Sequence, residues 1–431
     1  MHQDEDVLDT WFSSWLWPIA VFDGIRNPHN PEFKYYYPTN DLVTAPEILF
    51  FWVARMIIAG YEFVKQKPFH NVYLTGIVRD KLGRKMSKSL GNSPEPLDLI
   101  DKYGADGVRV GMLLCSPAGN DLLFDETLPE QGRNFSNKIW NAFRLFKQFI
   151  KDEDLSQPAY AKQAVRWFEQ CLNKAIINVR DDFSKYRLSE ALMEIYRLFW
   201  EDFASWYLEI IKPATGKNID NETYVKTKFF FEQILKLLHP FMPFITEELW
   251  HQIETRKEGD TIMRTLYPQA ESYDANIISL MQQVKELIGE IRNIRKQKNI
   301  QSKDSIELYV KTDSYKLNEF ASVICKLANV SDIKFGKPEE TSIPFLVGTD
   351  EYFIPFKENI DLEEEVSKIQ KEIQYYEGFL ASVMKKLSNE QFVNKAPKNV
   401  VENELSKKRD AEAKLNSLYE QLKSLKELNK A

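Results

Sequence analysis

Eight apolar residues near the C-terminus, Leu362, Val366, Ile369, Ile373, Tyr376, Leu380, Val383 and Leu387, follow one another at alternating steps of four and three. An α-helix turns once in 3.6 residues, so this spacing draws one seam down a helix and demands a second helix to cover it. Ala396-Pro397 then interrupts, because proline lacks the amide hydrogen a helix needs. A second, less regular seam runs through Leu405, Ala411, Leu415, Leu418, Leu422 and Leu425. Two seams around a short break predict an antiparallel helical hairpin over 361–431. Pairing with a second chain is the alternative.

Upstream the period is also helical. Phe135, Ile139, Ala142, Phe143, Phe146 and Ile150 share one stripe, and Leu188, Leu192, Ile195, Phe199, Phe203, Trp206 and Ile210 share another. Further helices are expected over Phe229 to Leu238 and Ile245 to Ile253, with Pro213 and Pro240 as stops. The stretch 126–270 therefore reads as a helical bundle. Trp140, Trp200 and Trp206 fall at core spacing, and base stacking is the competing use. After a helix over 276–298, short alternating runs at Ile306 to Val310, Asp332 to Phe335, Ile343 to Val347 and Tyr352 to Phe356 predict strands. With a helix near Tyr315 to Leu327 they make a small α+β module within 271–360.

Residues 1–125 differ in kind. Glu47 to Lys65 carries Leu49, Trp52, Val53, Met56 and Ile57 at helical spacing, and Val72 to Val78 is rich in β-branched residues. A strand, helix, strand order suits half of a doubly wound sheet, whose ligands bind beyond the carboxyl ends of its strands. Residues 93–125 open on Ser93-Pro94-Glu95-Pro96 and read as a connecting module.

Composition narrows the class. No run of eighteen apolar residues occurs, so no membrane span is expected. Cys115, Cys171 and Cys325 form no CxxC pair, which predicts no structural metal and fits a reducing, cytoplasmic setting. The net charge of −7 disfavours nucleic-acid binding by the chain as a whole. Local charge differs: from Val383 to Ala431 eleven Lys and Arg face seven Asp and Glu, a net of +4. Lys385, Lys386, Lys395, Lys398, Lys407, Lys408, Arg409 and Lys414 are either a solvated face or a phosphate-binding one. The same two readings apply to Arg292, Arg295, Lys296 and Lys298 at a helix C-terminus.

The chemistry is concentrated in Gly83-Arg84-Lys85-Met86-Ser87-Lys88-Ser89-Leu90-Gly91-Asn92. Glycine allows sharp turns at both ends, lysine offers compact positive charge, and hydroxyls add donors to phosphate oxygens. Lys85-Met86-Ser87-Lys88-Ser89 is identical to the KMSKS signature of class I aminoacyl-tRNA synthetases. With Asp9-Thr10-Trp11-Phe12-Ser13-Ser14, Phe50-Phe51-Trp52-Val53-Ala54-Arg55 and Gly104-Ala105-Asp106-Gly107-Val108-Arg109, the chain resembles the valyl-tRNA synthetase family from end to end. None of His2, His29, His70, His239 and His251 lie three apart, so the family's His-Ile-Gly-His signature is missing. The resemblance thus implies a C-terminal portion, without that half of the site and without the editing domain.

It further implies a multidomain, mainly α chain. Residues 1–92 would be the second half of a Rossmann-like catalytic domain, 93–125 a connecting, stem-contacting module and 126–270 an anticodon-binding bundle. The module over 271–360 and a tRNA-binding coiled-coil arm over 361–431 would follow. Lys88 would contact ATP, presented with Mg²⁺, with Lys85 as its catalytic partner and Met86, Ser87 and Ser89 completing the loop. Trp11 and Trp52 would wall the valine pocket. Where many relatives carry Gly-x-Asp, this chain has Ala45-Pro46-Glu47, which leaves an adenylate contact by Glu47 open. The implied partners are valine, ATP and tRNA(Val), with the protein monomeric; the alternative is a non-catalytic tRNA-binding protein.

Overall fold

The computed structural model describes residues 3–114, 119–311, 317–355, 362–389 and 398–428, leaving Cys115, Lys395 and Ala396-Pro397 outside the described residues. The chain divides into two compact units, one of residues 1–155, 171–208 and 213–273 and one of 156–170, 209–212 and 274–431.

The first unit opens with α1 (Thr10–Ala20), capped by Asp9 accepting from the Trp11 amide, and α2 (Pro31–Tyr36). β1 (Thr39–Thr44) and β2 (Phe69–Leu74) pair in parallel, Thr39 opposite Phe69 and Thr44 opposite Leu74. A helical run joins them: a 3₁₀ turn at Pro46–Ile48, a π-turn at Leu49–Val53, α3 (Ala54–Ala59) and a second π-turn at Gly60–Val64. The expected strand over Val72 to Val78 is two strands instead. The chain leaves β2 after Leu74 and re-enters as β3 (Val78–Arg79), which pairs in parallel with β4 (Leu122–Leu123).

Between β3 and β4 lie α4 (Pro96–Tyr103) and α5 (Ala105–Leu114). The Gly104 to Arg109 motif proves to be a joint. Asp106 accepts from the Phe244 and Ile245 amides at 3.4 and 2.7 Å, and Arg109 donates to the Phe241 and Pro240 carbonyls at 2.9 and 3.0 Å. A carboxylate over free amides of a helix N-terminus is favoured by hydrogen bonding and by the backbone dipole.

The bundle follows, with α6 (Thr127–Lys147), β5 (Lys151–Asp152), α7 (Ala159–Ser184), α8 (Leu188–Arg197) and a π-helical run at Leu198–Tyr207. It is completed by α9 (Leu208–Ile211), β6 (Ile219–Asp220), α10 (Asn221–Leu238) and α11 (Pro243–Ile253). Phe135, Ile139, Phe143, Phe199, Phe203, Phe230 and Phe231 are buried, and the Phe203 and Phe231 rings meet edge-on at 5.4 Å. Each fully buried ring contributes roughly 1.5–3 kcal/mol. Trp140 departs from its expected core position and lies at the bundle surface, while Trp200 and Trp206 are half-buried. Ile150 is also exposed, because α6 ends at Lys147. Helix α7 escapes the seams recognised in the sequence. Many of its inner positions are small, among them Ala161, Ala164, Cys171 and Ala175, which blunts the apolar stripe.

In the second unit α12 (Ala275–Gln297) leads to a four-stranded sheet of order β8-β7-β10-β9. Its strands are β7 (Ile306–Val310), β8 (Val330–Phe335), β9 (Ser342–Val347) and β10 (Asp350–Pro355), with α13 (Ala321–Ala328) before β8. Phe356, expected to end the last strand, lies outside the described residues. Arg295 is buried, and its guanidinium donates to the carbonyls of Gln301, Asp304, Ala328 and Asn329 at 2.8–3.0 Å. That removes it from the phosphate-contact reading. A guanidinium whose two terminal nitrogens are spent on backbone carbonyls is a structural cap.

The tail is an antiparallel hairpin of α14 (Leu362–Leu387) and α15 (Lys398–Leu428), with Tyr419 donating to Glu377 and Lys386 3.6 Å from Glu404. Ile369, Ile373, Leu415 and Leu418 form the buried seam, flanked by Tyr376, Leu380 and Leu422. The side chains of Leu362, Val366 and Leu425 lie outside the described residues. Leu405 does not join the seam; it is 44% exposed, whereas Glu404 is 6% exposed. Glu404 stands one heptad before Ala411, so the register places the acid inward. Lys407, 2.7 Å away, and Lys386 balance its charge.

Candidate functional site

The loop after β3 is shaped by two residues, Asp80 and Asn92. Asp80 Oδ1 accepts from the Leu82 and Arg84 amides at 3.0 and 2.9 Å, and its Oδ2 accepts from Asn92 Nδ2 at 2.9 Å and from Arg84. Asn92 Oδ1 in turn accepts from the Ser87 amide at 2.9 Å. These donors, led by the Asn92 amide and then Arg84, hold the Asp80 carboxyl far below the ordinary carboxylate range. Gly83 and Gly91 take φ of +75° and +63° where the loop turns at either end, a left-handed backbone that a side chain would strain.

Within this frame the five residues of the pentad divide their work. Met86 packs on the cluster of Leu99, Tyr103 and Phe124 and anchors the loop. Ser87 caps a 3₁₀ turn at Lys88–Leu90 by accepting from the Leu90 amide, and its hydroxyl lies 3.1 Å from that of Ser89. Arg84 pairs with Asp80 at 2.7 Å and Lys81 with Asp125 at 2.8 Å, so both are bound into the scaffold. Lys85 Nζ lies 2.9 Å from Glu47. Lys88 is exposed, and its ammonium has neither a hydrogen bond nor an ion pair among the described residues.

Glu47 links the loop to the aromatic residues. It sits on the 3₁₀ turn that leads into the π-turn carrying Trp52. A π-turn widens the helix by one residue and re-aims its side chains. Trp52 donates from Nε1 to the Ser14 carbonyl at 3.1 Å and stacks on Trp17 at 6.4 Å. Trp11 stacks on Phe51 at 6.0 Å, with the Arg55 guanidinium 5.9 Å from its ring. Both tryptophans are half-buried on the shared face of α1 and the 46–64 helical run. The loop, Glu47 and the two tryptophans are thus joined through one short helical turn. Sequence reasoning did not single out Asp80 or Asn92 as positioning residues. Each looks like ordinary turn chemistry until its partners, across the loop, are known.

Among the described residues no group of three or more His, Cys, Asp and Glu could hold a metal ion, and no helix is long and apolar enough to cross a membrane.

Comparison with known proteins accords with this arrangement. Residues 1–125 match the family described as tRNA synthetases class I (I, L, M and V). Residues 165–310 match the anticodon-binding domain of tRNA ligase, and 361–426 the valyl tRNA synthetase tRNA binding arm. The chain is 58% identical over 427 residues to the valine–tRNA ligase of Phocaeicola vulgatus, covering 99% of this chain and 49% of that protein. It is 56% identical over 427 residues to that of Parabacteroides distasonis, with the same coverage. A solved leucyl-tRNA synthetase ternary complex from Agrobacterium radiobacter K84 shares 20% identity at a TM-score of 0.49, over 64% of this chain and 34% of that one. The chain spans about half the length of the curated relatives it matches. On these matches and the residues that carry them, the chain belongs to the class I aminoacyl-tRNA synthetases of the valyl type.

Proposed function

We propose that the chain acts as the C-terminal part of a valine–tRNA ligase, contributing the lysine loop to valine activation and two further regions to tRNA(Val) binding. The observation that carries this reading is an exposed Lys88, without a partner among the described residues, on a loop whose backbone is already fixed by Asp80 and Asn92. Activation joins the valine carboxylate to the α-phosphorus of ATP and expels pyrophosphate. Negative charge therefore accumulates on the departing phosphates, where a positioned ammonium stabilises the transition state more than the ground state. Lys88 fills that role. Lys85 joins it by exchanging Glu47 for a phosphate oxygen, and the Ser87 and Ser89 hydroxyls supply further donors. Mg²⁺ would enter bound to the ATP phosphates.

Trp11 and Trp52 are read as the walls of the valine pocket, where a rigid apolar surface excludes bulkier side chains by crowding. Residues 1–92 are read as half of the Rossmann-like domain, 93–125 as the connecting module and 126–270 as the anticodon-binding bundle. The hairpin over 361–431 is read as the arm on the tRNA body, with the 271–360 module before it. A monomer working in the cytoplasm fits this division.

In a full-length ligase carrying these residues, Lys88→Ala should slow valine-dependent ATP–pyrophosphate exchange by the equivalent of about 2–4 kcal/mol, with valine binding little changed. Unaltered exchange would remove Lys88 from the chemistry. The 431-residue chain alone should bind tRNA(Val) at low salt yet show no exchange, since one side of an ATP site cannot align both reactants. Removing 361–431 should flatten the salt dependence of that binding, and an unchanged slope would leave the hairpin a brace.

A further inference from the structure

The second unit holds a lysine that none of this accounts for. An open cavity of about 650 Å³ lies along α13 and is lined by Tyr160, Ser322, Cys325, Lys326 and Asp332, among others. Lys326 is half-buried at its wall. Its Nζ stands 3.7 Å from the centre of the Tyr160 ring and donates to the Lys212 carbonyl at 2.8 Å. Other lysines of this unit, such as Lys311 and Lys334, lie against carboxylates at 2.6 and 2.8 Å. Lys326 has no ion pair among the described residues.

The charged groups facing it are few. Glu209 favours its protonated form from a distance, but Glu209 itself lies 3.7 Å from Lys212 Nζ. Asp332, on β8, and the Cys325 thiol share the cavity. Burial outweighs the pull of Glu209 and lowers the Lys326 ammonium to about 8. A ring face and one carbonyl have replaced much of its water without supplying a counter-charge.

We propose that Lys326 is a site of Nε-acylation by small activated acyl compounds, its amine held partly dehydrated at the wall of a cavity that receives the acyl group. The free amine attacks the acyl carbon, a C–N bond forms, and the C–O or C–S bond to the leaving group breaks. Phosphate or thiolate departs with the electron pair, and one amine proton passes to solvent. The amide keeps one N–H for the Lys212 carbonyl but loses the charge held over the Tyr160 ring. Acylation would therefore loosen the hold between α13 and residue 160.

The 431-residue chain would be incubated at pH 7.5 with acetyl phosphate or, separately, with acetyl-CoA, and acetylation at each lysine followed by peptide mass spectrometry. Lys326 should react about tenfold faster than Lys81, whose amine Asp125 keeps protonated, and faster than exposed Lys67. Reaction with one donor only would assign the acyl source to that class. Glu209→Gln removes the group that favours the ammonium and should speed the reaction at least about twofold. Tyr160→Leu should slow it, because readmitted water favours the ammonium by more than the lost ring face disfavours it, while Tyr160→Phe, keeping the ring face, should not. Lys326 reacting no faster than Lys67 with both donors would overturn the proposal, as would a rate indifferent to both Glu209→Gln and Tyr160→Leu.

Discussion

Most of the helical bundle and the N-terminal α/β region belong to the same compact unit but treat their apolar residues in opposite ways. The bundle turns its rings inward: Phe135, Phe199, Phe203, Phe230 and Phe231 are each 0% exposed. The α/β region leaves Phe50 at 83% and Tyr35 at 80%, with Leu8, Ile58, Tyr61 and Phe63 also outward. Its paired strands β1 and β2 form a sheet of only two, and such a pair cannot cover the helices beside it. An exposed apolar face of this extent is the kind of surface that interfaces are built from. The lesson is that a seam closes where helices fold back on one another, and stays open where the sheet beside it has only two strands.

Substitutions can break or sharpen that contrast. Phe231→Ala should destabilise the bundle by about 3–5 kcal/mol, through lost transfer energy and the cavity left behind. Phe50→Ala should stay within about 0.5 kcal/mol, since the ring is already largely exposed. Chemical denaturation of both variants tests the pair, and similar losses would mean that Phe50 is buried in solution.

Next in size is the hairpin, where Leu418 is 1% exposed and Leu405 is 44% exposed. Leu418→Ala should cost about 2–4 kcal/mol of hairpin stability and Leu405→Ala under about 0.5. Helicity of the arm followed by thermal melting separates them. Equal costs would restore Leu405 to the seam and displace Glu404.

A smaller effect is expected at the lysine loop, which is held by polar contacts where the bundle is held by packing. Asn92→Ala should raise hydrogen exchange at the Ser87 amide about tenfold, the loss of one such bond being near 1.4 kcal/mol. The Asp80 carboxyl is depressed in the folded chain, so its contribution is complete above the ordinary carboxylate range. It fades only as pH falls below that range toward the folded value. Protection at the Arg84 amide should thus persist at pH 4 and fail under stronger acid. Failure by pH 5 would mean that Asp80 is not the anchor.

Much of this was legible beforehand because periodicity and motif spacing are local. The bundle stripes through Phe135 and Phe199, the strand Ile306–Val310 and the hairpin seam follow from residues a few positions apart. Where the reading slipped, a distant partner intervened. β3 is a separate strand because Leu122 and Leu123 offer it an edge, and Arg295 is a buried cap because four carbonyls converge on it.

The candidate site divides along the same line. Sequence alone determined the lysine pentad, its flanking glycines, the two tryptophans and the family they resemble, because residue type and order are enough to specify chemistry. Only the tertiary structure decided which loop lysine lacks a partner among the described residues, that Glu47 lies against Lys85, and that Asp80 and Asn92 hold the loop between them. Those facts depend on distances of about 3 Å between residues up to 38 positions apart, and hydrogen bonds form only over such distances.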